Sequence, residues 1–130
     1  MAAGFKDLKV YQLAYSLAMQ IFKESKVFPI EERYSLTDQI RRSSRSVTAN
    51  IAEGNRKRQY PKAFVQKLSD SDGEVAETLV WISHARDCGY WSHELATELT
   101  EGYEEAGRML GGMIRHPEKF AVDFSSTGSK

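Results

Sequence analysis

Seven cations, Arg41, Arg42, Arg45, Arg56, Lys57, Arg58 and Lys62, are the residues whose type and spacing best suit chemistry. A run of guanidinium and ammonium groups binds phosphate through charge and counterion release. Tyr60 and Phe64 lie among the last of them and supply rings on which bases stack. From Arg41 to Lys67 there are eight Arg or Lys and one acid, Glu53; from Leu68 to Glu105 there are ten Asp or Glu and one such base, Arg86. A net charge of zero thus hides a polarised molecule. Three readings stay open. The basic segment binds nucleic acid, or it pairs with the acids of a neighbouring copy, or it is a solvated face on which each exposed ion pair is worth ~0–1 kcal/mol. Overall neutrality counts against the first.

Other chemistry is sparse. A di-iron bundle needs Glu-x-x-His on facing helices, but the residues three before His84, His93 and His116 are Trp81, Tyr90 and Met113. His84 and Cys88 stand four apart, a spacing that can clip a metal, but two ligands do not make a site. Ser43, Ser44 and Ser46 lack a nucleophile elbow and an identifiable base. Cys88 falls near a helix C-terminus, the end that does not favour an anion. No Walker loop or GxGxxG occurs. Glu53, Asp72 and Glu77 lean inward and are expected to pair with arginines. The expectation is a non-enzymatic protein with no catalytic residue, cofactor or metal.

Four helices must position these residues. The first spans about Asp7 to Val27, with Val10, Ala14, Leu17, Ile21 and Ser25 as its seam. Leu8, Tyr15, Met19 and Phe22 make a second apolar stripe, more than one core absorbs. Phe28-Pro29 ends this helix. Ser35 caps the second, with Asp38 as a capping-box-like partner. Leu36, Ile40, Ser44, Val47 and Ile51 face inward, and Arg41, Arg42, Arg45 and Arg56 fall roughly opposite. Gly54, near the seam, permits close helix approach or begins the unwinding. Pro61 opens the third helix. Its inward set is Phe64, Leu68, Val75, Leu79 and Ile82, with Asp72 on the same side, so Asp72 needs a water or a partner: a seam-edge serine, an asparagine such as Asn50, or an arginine. Trp81 points away from that seam. Gly89 stops the third helix, Ser92 caps the fourth, and Pro117 ends it. The fourth seam is Leu95, Leu99, Tyr103, Ala106, Leu110 and Met113, interleaved with glycines that let another backbone approach. The fold class is all-α, an antiparallel up-down-up-down four-helix bundle.

The chain has 130 residues, room for one domain. Residues 1–124 are read as the bundle and 125–130, small and polar, as a disordered tail. No apolar run approaches the ~20 residues of a membrane span, and the N-terminus lacks an apolar signal core. One cysteine, Cys88, fits a reducing, cytoplasmic setting.

FKDLKVYQLAYSLA near the start, YSLTDQIRRSSRSVTANIAEG, DGEVAETLVWISHARDCGYW and RMLGGMIRHPEKF near the end resemble the bacterial proteins encoded within intervening sequences of 23S ribosomal RNA genes. The resemblance covers about Phe5 to Phe120. Relatives tend to carry apolar residues after QIRR, where this chain has Ser43 and Ser44. The resemblance implies an up-down-up-down bundle and a homopentameric ring, with no established biochemical role. The accessory proteins of diversity-generating retroelements, which associate with reverse transcriptase and nucleic acid, are similar at fold level. The expectation is therefore a scaffold or interaction protein that assembles with itself, with RNA or a nucleoprotein as further partner. The alternative is a nucleic-acid-binding accessory factor using the second helix and its following loop. Leu8, Tyr15, Met19, Phe22 and Trp81 are the candidate oligomer interface. The seven cations are candidate subunit or nucleic-acid contacts.

Overall fold

The computed structural model describes residues 4–121, and the expected polar tail at 125–130 lies outside the described residues. Four helices, α1 (Lys9–Glu24), α2 (Leu36–Arg56), α3 (Pro61–Asp87) and α4 (His93–Arg115), are flanked by short 3₁₀ turns, with no strand among the described residues. Each helix packs on two neighbours, α1 on α2 and α4, and α3 on α2 and α4, so α2 and α4 occupy diagonal corners.

The pairings run antiparallel. Between α2 and α3, Ser43 meets Thr78, Ser71 meets the Val47 carbonyl and Gly54 meets Lys67. Between α1 and α4, Gln20 bonds Glu98 while Leu17 abuts Gly102. Arg41 reaches back to Ser25 across the α1–α2 turn, and Asn55 at the far end of α2 faces the Phe5 amide. The Phe64 and Phe120 rings, 6.5 Å apart, tie the start of α3 to the segment after α4.

The inward positions recur at three- and four-residue steps, and their side chains fill one core. Every residue of the expected α1 seam is buried, as is every one in α2. Two corrections concern phase. Asp72 is exposed, and the buried polar positions of α3 are Ser71 and Thr78. The seam runs Phe64, Leu68, Ser71, Val75, Thr78, Ile82, so a three-residue step after Leu68 turns Asp72 outward. Ala96 takes the buried place expected of Leu95, which is half-buried like Leu79.

A third correction concerns the start of α2. Ser35 holds the cap position, but its side chain caps nothing and Asp38 does not complete a box. The 3₁₀ turn Ile30–Glu32 carries the Glu32 carboxylate over the helix end instead. Glu32 Oε1 accepts from Ser35 Oγ (2.6 Å) and the Leu36 N–H (3.2 Å), and Oε2 accepts from Tyr90 Oη (2.8 Å). A carboxylate at a helix N-terminus also meets the positive end of the dipole. The bond from Ser35, then that from Tyr90, holds the Glu32 carboxyl below its ordinary range, and the same contact pushes Tyr90 up to about 12. Ser92 caps α4 as expected, accepting from the Leu95 N–H, and Gly89 ends α3 with a left-handed φ of 81°.

Two outcomes follow for the fold. A Cβ on Gly102 would lie 2.5 Å from Leu17 Cδ2, with Cδ1 and Cγ also within 3.4 Å, so turning Leu17 about its outer bond does not clear it. A Cβ on Gly112 meets nothing within 4 Å. Gly102→Ala should destabilise by about 1–3 kcal/mol, whereas Gly112→Ala should stabilise by about 0.5–1 kcal/mol; urea melts that rank them the other way refute this helix spacing. Glu32→Gln should lower the urea midpoint at neutral pH. Because the folded pKa is depressed, the carboxylate's contribution is present above its unfolded value and is lost as pH falls through the folded one. The gap between wild type and variant should therefore close below about pH 4; a constant gap down to pH 2 would show that the charge is irrelevant.

Candidate subunit and nucleic-acid interface

The basic face of α2 divides into separate environments. Arg42 turns toward α3, where its Nη2 donates to Glu77 Oε2 (2.8 Å) and Gln39 Oε1 (2.8 Å). Trp81 Nε1 donates to the same Glu77 oxygen at 3.2 Å. This is the within-chain pairing of basic α2 with acidic α3, and both side chains are partly solvated, so it contributes ~0–1 kcal/mol.

Arg41 turns the other way. Its Nε donates to the buried Ser25 Oγ (2.8 Å), its Nη2 points at the Phe22 carbonyl (3.4 Å), and its guanidinium sits 4.8 Å from the Phe22 ring centre. The Arg45 guanidinium at 5.8 Å and Lys26 Nζ at 4.9 Å also lie over Phe22. Three cations thus gather on one aromatic ring, whose face attracts positive charge. Among the described residues, none of the three has a carboxylate within ion-pair distance. Arg41, Arg42, Arg45 and Arg33 line a shallow concavity of about 540 Å³ in which Asp38 is the one acid.

The expected apolar stripe separates in a similar way. Tyr15 (52% exposed) and Met19 (50%) stand on the outer surface of α1 in line with half-buried Phe22. Tyr11 and Phe5 extend the aromatic row, with ring centres 5.9 Å from Tyr15 to Tyr11 and 5.1 Å from Tyr11 to Phe5. Tyr15, Met19, Phe22, Arg41 and Arg45 therefore share one face along the α1–α2 groove. Leu8 is half-buried at the end of the bundle, and Trp81 is half-buried beside Glu77 on the far side of α2. The structure does not join these last two to the α1 row.

Arg56, Lys57, Arg58 and Lys62 gather where α2 turns into α3, beside exposed Tyr60. Arg58 Nη1 donates to the Asn55 carbonyl at 2.8 Å, and nearby Glu53 is held by Lys67 at 2.9 Å. The N-terminal turn and the end of α4 close against this corner and bring Lys6, Lys9, Arg115 and Lys119. Sequence reasoning missed these four because they lie far from the basic run. Antiparallel closure was the signal that places the α2–α3 turn beside the start of α1 and the end of α4.

His84 and Cys88 line a shallow concavity with Trp81 and Tyr34, the His84 and Trp81 rings being 5.7 Å apart. Among the described residues, no three His, Cys, Asp or Glu side chains gather as metal ligands, and no helix is long and apolar enough to cross a membrane.

The family model of the 23S rRNA-intervening sequence proteins matches residues 6–112. Among solved structures, the chain is similar to a protein of unknown function from the S23 ribosomal protein family of Bacteroides thetaiotaomicron. The two share 25% identity with a TM-score of 0.73, over 81% of this chain and 97% of that one. No curated protein matches.

Proposed function

From the premise that this chain belongs to the 23S rRNA-intervening sequence protein family, we propose that it is a self-assembling, non-catalytic bundle whose copies join through the α1–α2 face. One observation carries the reading: Tyr15 and Met19, half exposed, stand in line with Phe22 and the arginines laid over it. Aromatic rings, methionine and arginine are the side chains enriched where proteins bury each other. A closed ring needs two different patches on each copy, one fitting the other. The diagonal corner offers the second, since α4 exposes Glu94, Glu98, Glu101, Glu104 and Glu105. Charge of opposite sign on opposite corners favours head-to-tail contact over like meeting like. Five copies is the ring size that the family resemblance implies, and the lone, exposed Cys88 fits a cytoplasmic setting.

RNA or a nucleoprotein is the partner we propose for the ring. The cations of the α2–α3 turn support this second reading, because they crowd one end of the bundle and Arg56, Lys57 and Lys62 form no ion pair among the described residues.

Light scattering tests the assembly. Wild type at micromolar concentration should have a mass several times 14.7 kDa, and Tyr15→Glu with Met19→Glu should reduce it to a folded single chain. Both positions face solvent in one bundle, so helix content should not change. A monomeric wild type refutes the proposal, and an intact oligomer in the double variant refutes the chosen face.

A further inference from the structure

We propose that the cleft between the start of α1 and the end of α4 takes a base of single-stranded RNA, with the strand's phosphates held by the surrounding cations. The cleft measures about 550 Å³, within the range of small-ligand sites. Leu8, Val10, Met109, Met113 and Phe120 give it an apolar lining. Gly112 leaves backbone bare on one wall, since a Cβ there would meet nothing within 4 Å. Lys9 and Lys119 stand at the rim, with His116 and the acid Asp7. His116 Nδ1 lies 3.5 Å from Glu118.

The cations of this end are not explained by folding alone. Arg56 and Arg115 occupy the last turns of α2 and α4, where the helix dipole favours positive charge. Lys9 and Lys62 occupy the first turns of α1 and α3, where it disfavours them, and neither first turn contains an acid. At the opposite end the rule is obeyed, with Asp38 and Glu94 opening α2 and α4. One bundle end is thus basic at helix starts and helix stops alike. A polyanion with flat apolar groups matches both the cations and the cleft, and exposed Tyr60 offers a ring for a neighbouring base.

The inference rests on the RNA link proposed above, and Gly112→Leu separates the two. Leucine raises helix propensity and fills the cleft, so helix content and oligomer mass should be unchanged. Anisotropy with a labelled oligouridylate of about twelve nucleotides should show affinity falling about tenfold or more, with the salt slope unchanged. An abasic strand of the same length should bind wild type and variant equally. Lys9→Gln with Lys119→Gln should instead weaken both strands and flatten the slope by roughly 0.7 per lost contact. If Gly112→Leu binds oligouridylate as wild type does, the cleft is not the base site, although the RNA link stands. If wild type binds no oligouridylate at low salt, both fail. If dodecyl phosphate binds wild type more tightly than the strand and loses affinity in Gly112→Leu, the cleft holds an acyl chain and the inference is overturned.

Discussion

The contact between α2 and α3 sets the rest of the molecule. It is built from small and polar side chains: Gly54, Ser43 against Thr78 at 2.8 Å, and Ser71 on the Val47 carbonyl at 2.8 Å. A Cβ on Gly54 would already stand 3.1 Å from Lys67 Cβ, so the helices are close there. Short side chains permit that approach, and buried hydroxyls that find partners fix the rotation of each helix about its axis. A slip by one residue would separate Ser43 from Thr78 and Ser71 from the Val47 carbonyl; Thr78 keeps its bond to the Glu74 carbonyl, but the buried Ser71 hydroxyl would be left without its partner, at a cost of about 1–3 kcal/mol. Ser43 and Ser44, both buried, have distinct surroundings. Ser43 pins α3, and Ser44 stands beside the buried Tyr103 of α4.

Once α2 is fixed in rotation, its arginines border one concavity but reach different partners. Arg42 is delivered to Glu77, and Arg41 and Arg45 are delivered to Phe22. The charge left without a local carboxylate then lies on two surfaces, the α1–α2 groove and the end where α2 turns into α3. The groove combines cations with aromatic and thioether side chains, and this mixture suits a protein surface. The end combines cations with an apolar cleft, and that mixture suits a stacked, charged polymer. Neutrality of the whole chain is compatible with both, because the acids are concentrated on α3, α4 and the opposite end.

Most of the architecture was legible from periodicity and punctuation. Val10 to Ile21 and Leu36 to Ile51 recur at spacings only a half-buried helix needs, and Pro61, Gly89, Ser92 and Pro117 mark boundaries the chain obeys. What misled was the polar part of the pattern. Asp72 looked inward because a four-residue step from Leu68 reaches it, but Ser71, three residues on, takes the buried place. Hydropathy does not distinguish a serine that bonds a neighbouring carbonyl from one that faces water. Glu32 was missed as the cap of α2 because its action depends on a 3₁₀ turn formed before the helix begins. Of the candidate surface, Tyr15, Met19, Phe22, Arg41 and Arg45 come together along one groove. Leu8 and Trp81 part from them, and Lys6, Lys9, Arg115 and Lys119 join Arg56 only in three dimensions.

The central claim is that the α1–α2 face is covered in the working protein. Hydroxyl-radical footprinting of Met19 and Tyr15 in wild type, read by mass spectrometry across a dilution series, tests it most directly. Each is about half exposed in a single bundle, and Tyr60, on the bundle end, serves as an exposed reference. Strong protection of Met19 and Tyr15 at micromolar concentration, lost on dilution while Tyr60 stays reactive, is the result the account predicts. Modification of Met19 at the rate of an open methionine at every concentration would contradict it.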